Sequence, residues 1–211
     1  MRLPGRDVYR WLERALLAIA VLGLGWYGFV FLEARLYQFQ QDRVLEERLD
    51  ASAYKSLPVG SVIGRIEIPR LRFTAVIREG DDEHTLRLAV GHIPGTVVPG
   101  ERGNAALAGH RDTFFRDLRR IKYDDEIRVT TARGIQSYRV SMTRVVQPKD
   151  VWVLNATADP VLTLVTCYPF SYIGAAPDRF IVQARLTAQE PLPRPAARRV
   201  GRQVAEKRSP K

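Results

Sequence analysis

The spacing of hydrophobic and polar positions changes three times along the chain. From Ala15 to Leu32 the stretch ALLAIAVLGLGWYGFVFL runs for 18 residues without a charge, close to the ~20 that a helix needs to cross ~30 Å of hydrocarbon. It predicts a membrane span. From Glu33 to Leu57 the apolar residues Leu36, Phe39, Val44, Leu45 and Leu49 recur among many charges, the mark of a weakly amphipathic helix leaving the membrane as a stalk. Pro58-Val59-Gly60 closes that segment.

Beyond it the period shortens to that of strands separated by turns. Val62–Ile68 reads as a strand stopped by Pro69, and Phe73–Ile77 as the next. Asp81–Leu88 predicts a brief helix with an acidic start, and Gly91–Thr96 a turn-rich loop. Asn104–Ala108 resumes a strand that delivers Gly109-His110-Arg111-Asp112, and Phe114–Leu118 makes one helical turn. Glu126–Thr131 and Tyr138–Val146 form a hairpin candidate around Ala132-Arg133-Gly134. Val161–Cys167, an apolar and β-branched run stopped by Pro169, and Arg179–Leu186 complete the set. Seven or eight short strands with only brief helices predict a mainly β fold, a closed or nearly closed barrel rather than a parallel α/β sheet.

Charge refines this picture. Arg2, Arg6, Arg10 and Arg14 precede the apolar run; lysine and arginine set orientation, so the amino end is expected inside and the bulk of the chain outside. The alternative of a cleaved signal peptide meets no clear small-x-small site after Leu32. The 211 residues carry a formal net charge of +10, which raises nucleic acid as a partner. Half of that excess, however, lies in the proline-rich segment 189–211, where seven cations from Arg194 to Lys211 face only Glu190 and Glu206. Such a segment, poor in large apolar residues, predicts a disordered basic tail. The expected organisation is a cytoplasmic end at 1–14, a signal anchor at 15–32, a stalk at 33–58, a β-barrel at 59–188 and the tail at 189–211.

The candidate chemistry centres on Cys167, the only cysteine. An exported lone thiol calls for an explanation, yet free cysteine also packs as a small hydrophobe, and the strand by itself leaves both readings open. A nucleophilic thiol needs a proton acceptor or a positive neighbour. Of the three histidines, His84 falls on the exposed helix and His92 in the glycine-proline loop, whereas His110 stands at a strand end from which a side chain can project. Arg179, at the start of the last strand, would hold a cation beside the thiol if the two strands pair.

Ala108-Gly109-His110-Arg111-Asp112-Thr113, Thr163-Leu164-Val165-Thr166-Cys167 and Pro177-Asp178-Arg179-Phe180 resemble the histidine, TLxTC and arginine motifs of the sortases, most like those of the class D group. The resemblance runs from about Val59 to Leu186. It implies an eight-stranded sortase barrel tethered outside the membrane and a cysteine transpeptidase acting on an LPxTG- or LPxTA-type sorting signal near the carboxyl end of secreted proteins. It further implies Cys167 as nucleophile, His110 as general acid/base, Arg179 as the residue that holds substrate and stabilises the oxyanion, and Thr166 as an oxyanion helper through its hydroxyl or backbone. The implied partners are secreted proteins bearing the signal and an amine of the cell envelope, with no nucleic acid. No cofactor is expected. Some sortases bind calcium through an acidic loop, but Asp81, Asp82 and Glu83 read better as a helix start, and no spacing suggests a metal site. Pilus-building members carry a lid with an Asp-Pro-aromatic motif; nothing of the kind occurs between Glu33 and Gly60. A thiol peptidase releasing its intermediate to water, and a noncatalytic barrel with Cys167 merely packed, are the rival expectations.

Overall fold

Residues 5–45, 57–172 and 174–192 are described by the computed structural model. The charged boundary at Glu33 does not interrupt the first element: α1 runs unbroken from Gly5 to Leu45, 41 residues, or about 60 Å at 1.5 Å per residue. The reason is local. Neither glycine nor proline occurs between Phe29 and Leu57, so nothing stops the helix where the hydropathy falls. The most apolar 18-residue window within its stretch Tyr9–Gln38 has a mean hydropathy of 2.2 and is unburied by the rest of the chain. Among the described residues, one helix is therefore long and apolar enough to cross a bilayer. The rest of the stalk expectation, 46–56, and the tail from 193 on lie outside the described residues.

The remaining elements close into a barrel. They are β1 (Val62–Ile68), β2 (Phe73–Glu79), α2 (Glu83–Leu88), β3 (Val90–His92), β4 (Asn104–Ala108), β5 (Glu126–Thr131), β6 (Gly134–Val146), β7 (Val161–Tyr168) and β8 (Asp178–Glu190). The order around the barrel is β1-β2-β3-β4-β7-β8-β6-β5, with β5 returning to β1. β2 with β3 and β4 with β7 pair parallel, the other neighbours antiparallel. Ile63, Ile66, Ile77, Leu107, Ile127, Tyr138, Leu162, Leu164 and Val182, all fully buried, fill the interior. Each such side chain is worth roughly 1.5–3 kcal/mol on removal from water.

Three elements differ from the sequence expectation. Gly91-His92 lies in strand β3, not in a loop; three residues are too few to show alternation. Gly91 is also a close-approach position, since a Cβ there would stand 2.3 Å from the Gly80 carbonyl oxygen. β6 starts at Gly134, and β8 continues to Glu190 because its end pairs with that earlier start, Ile135 opposite Glu190. The acidic helix start is a cap: Asp82 accepts from the Thr85 N–H at 3.0 Å and the Thr85 hydroxyl at 2.7 Å.

An ion pair ties the turn after β1 to the start of β5. Arg70, in the turn after β1, donates from Nε and Nη2 to the two carboxylate oxygens of Asp125, at 2.5 and 2.6 Å, and the Lys122 N–H adds a third bond at 2.7 Å. These donors, Arg70 foremost, hold the Asp125 carboxyl below its ordinary 3.8. A depressed carboxylate adds stability that is full above the unfolded value and lost as pH falls through the folded one. The unfolding temperature should therefore drop as pH falls below about 4, and more steeply in the parent than in Asp125→Asn. At neutral pH the variant should be less stable by about 2 kcal/mol, the scale of a hydrogen-bonded charged group lost. Thermal unfolding across pH checks both signs.

Candidate active site

Strand alternation decides where the thiol points. Along β7, Leu162 and Leu164 join the barrel core, which turns Thr163, Val165 and Cys167 to the outer face. Cys167 is half-buried rather than sealed. Opposite it on β8 stands Arg179, its direct cross-strand partner, and the next outward pair is Val165 with Ile181. Val165 and Ile181 pack with Val146, Val153 and Leu154 in a second, smaller cluster outside the barrel. The Arg179 guanidinium donates to the carbonyls of Ala176 and Asp178 at 3.3 and 3.0 Å, so the loop before β8 holds it at the strand start.

His110 reaches the same neighbourhood from β4. That strand runs parallel to β7 with Ala108 opposite Val165, and the ladder continues one step through the Gly109 N–H to the Val165 carbonyl at 3.2 Å. His110 follows Gly109, two residues past the end of β4, on the strand that neighbours β7. The position before it must be empty of side chain. A Cβ on Gly109 would lie 2.8 Å from the Phe115 ring, which fills that space, while the Phe115 N–H donates to the His110 carbonyl at 2.9 Å.

Thr166 faces inward, 2% exposed, and its hydroxyl donates to the Gly109 carbonyl at 2.7 Å. Of the two contributions expected of it, the hydroxyl is thus committed to the inner face, where it fixes the backbone that carries His110. Cys167 and Arg179 are thus direct neighbours across β7 and β8, and His110 follows the end of β4, the strand on the other side of β7. The other histidines stay away from them. His84 is exposed beside Arg87, and His92 is 2% exposed, with Nδ1 2.7 Å from Glu79 Oε2 and Nε2 3.0 Å from the Val97 carbonyl. Among the described residues, no three of His, Cys, Asp and Glu gather as a metal site.

Sequence reasoning missed the residues that hold the surroundings. Asn104, 3% exposed, donates from Nδ2 to the carbonyls of Val153 and Asn155 at 2.9 and 3.2 Å and accepts from the Thr163 hydroxyl at 2.6 Å. This pins the 3-10 turn Val151–Leu154 as a wall beside Val165. Arg111 donates to the carbonyls of Pro169, Tyr172 and Gly174, binding the loop after β7 to the histidine segment. The signal for Asn104 was a lone polar residue opening a small-residue strand; its partners, 49 and 51 positions away, were not readable. Asn104→Ala should free that wall and raise KM for a peptide substrate about tenfold, the equivalent of 1.4 kcal/mol, with a smaller change in kcat. Steady-state kinetics on the two proteins separates the constants.

The matches to known proteins agree with this fold. A family model described as a sortase domain covers residues 66–187. The chain is 35% identical to Sortase D of Bacillus subtilis (strain 168) over 127 residues, 60% of this chain and 64% of that protein, so it spans just under two thirds of that relative. It is also similar to a solved structure of a Clostridium perfringens Sortase D5 transpeptidase, with a TM-score of 0.63, 29% identity, and coverage of 74% of this chain and 99% of that one. The crystal structure of Listeria monocytogenes sortase A gives a TM-score of 0.58 at 27% identity, covering 64% of this chain and 92% of that one.

Proposed function

The chain belongs to the sortase family, and on that premise we propose that it is a membrane-anchored cysteine transpeptidase. In this reading it cleaves an LPxT-type sorting signal, followed by glycine or alanine, after the threonine, and transfers the new carboxyl end to an amine of the cell envelope. α1 is the single anchor, with its arginine-rich end on the cytoplasmic side and the barrel outside. What supports the proposal is the register of β4, β7 and β8: Cys167 pairs with Arg179, and Gly109, the residue before His110, bonds to the Val165 carbonyl.

Each group then has a defined task. The Cys167 thiolate attacks the threonine carbonyl carbon, and the developing oxyanion is met by the Arg179 guanidinium and by backbone N–H groups at the strand ends. His110 gives a proton to the departing amine as the C–N bond breaks, leaving a thioester on Cys167. An incoming amine attacks that thioester, His110 takes its proton, and the sulfur leaves as thiolate. The pinned wall at Val151–Leu154 bounds the outer face on which the signal lies.

The test uses the full chain in detergent, a peptide containing the motif, and a short oligoglycine as amine. An amide-linked product is expected. Cleavage with no ligated product would make the protein a thiol hydrolase, and an intact peptide would leave a noncatalytic barrel.

A further inference from the structure

The part of α1 just past the apolar run does not stand clear of the barrel. Gln38 places its side-chain amide between two backbone groups that secondary structure leaves over. Its Oε1 accepts from the Val76 N–H at 2.8 Å, and its Nε2 donates to the Leu88 carbonyl at 2.7 Å. Val76 lies on β2 one residue before the pairing with β3 begins at Ile77 and Val90. Leu88 ends α2, where the last carbonyls have no partner within the helix. One planar amide thus fills the gap in the sheet and caps a helix, both demands fixed by the barrel.

Its neighbours on α1 add contacts on the same edge. The Arg78 guanidinium lies over the Tyr37 ring, 5.0 Å from its centre, while its Nε donates to the Gly60 carbonyl. Arg87 of α2 reaches Glu33 at 3.6 Å. Glu33 is the first charge after the apolar run, and Gln38 follows it by about 8 Å along the helix axis.

We propose that Glu33–Gln38 is a latch that seats the catalytic barrel rigidly on its own anchor within two helical turns of the bilayer. The active site is thereby held at one height, so that a substrate itself held in the membrane is selected by the length of chain between its scissile threonine and its membrane-spanning segment. This rests on the function proposed above. The physical contrast is with a loose tether, for which effective concentration changes only slowly with spacer length. A rigid seat makes the dependence steep, because a spacer too short cannot span to the active site at all.

The experiment places the full chain in lipid nanodiscs with peptides that carry the motif, a polar spacer of graded length and a membrane-spanning helix. Parent turnover should peak at one spacer and fall about tenfold when the spacer changes by about six residues. In the double variant Tyr37→Ala, Gln38→Ala the profile should flatten to within about twofold, with turnover of a soluble peptide unchanged, which also reports that the barrel is folded. In the same variant the Val76 amide, protected in the parent, should exchange with solvent faster. A parent that cleaves the soluble peptide but treats all spacers alike overturns the latch, as does unaltered Val76 exchange. A parent that cleaves neither soluble nor anchored peptide overturns the enzymatic function instead, and Val76 exchange then still judges the seat.

Discussion

Cys167→Ala is expected to have no measurable cleavage of a sorting-signal peptide while unfolding within a few degrees of the parent. The first half follows from chemistry: the chain has one sulfur nucleophile, and removing it leaves nothing to form the thioester. The second follows from place. Cys167 sits half-buried on the outer face at the end of β7, outside the set of fully buried side chains that fills the barrel. Losing one sulfur there forfeits little packing, in contrast with a deletion at Leu164 one turn of the pleat deeper, which would cost roughly 2–5 kcal/mol. A large loss of stability in Cys167→Ala would mean that the thiol is core filling, the reading that the strand alone left open. Retained activity would remove the thiol from the reaction.

The second large effect is expected at His110. Proton transfer by a positioned side chain contributes about 10²–10⁴-fold, so His110→Ala should lower kcat/KM by that order. A structural role would also lower activity, and three readouts separate the two. The pH–rate profile of the variant should lose a limb, small imidazole buffers should restore part of the rate, and Cys167 should remain open to alkylation, since the sulfur is positioned by β7 and not by the histidine. The backbone explains why the place is sensitive. His110 is held by Gly109, whose carbonyl takes the Thr166 hydroxyl and whose Cβ position is filled by Phe115. Gly109→Ala should therefore imitate part of the His110 defect without touching the imidazole.

How far these features could be read from the residues depends on the range of the interaction behind each. β1 and β5 match their expected bounds because one buried face imposes a period of two on six or seven residues. β4, buried on both faces, was legible as a short run of small residues, and β7 as an apolar, β-branched run stopped by Pro169 that carried Cys167 with it. The pairing of Cys167 with Arg179 was stated only conditionally, because register is a property of two strands together, and the loop between them fixes it. β3 escaped notice since it is three residues long and owes its existence to neighbours on both sides. Asn104 and Gln38 escaped for a stronger reason. Each is an amide whose meaning lies in backbone groups some fifty positions away, Val153 for one and Leu88 for the other. The charge at Glu33 suggested a change of element, but charge alone does not end a helix, and α1 continues to Leu45.

The central claim is that the Cys167 sulfur carries the acyl group between two amines, and the mass of the intact protein reports this directly. The full chain is mixed with a peptide bearing the motif, no amine is added, and the reaction is stopped in acid. The predicted spectrum gains the acyl fragment that ends in threonine, peptide mapping locates it on Cys167, and addition of an amine discharges it into an amide product. Cleaved peptide with an unmodified protein, or an adduct on any other residue, would contradict the account.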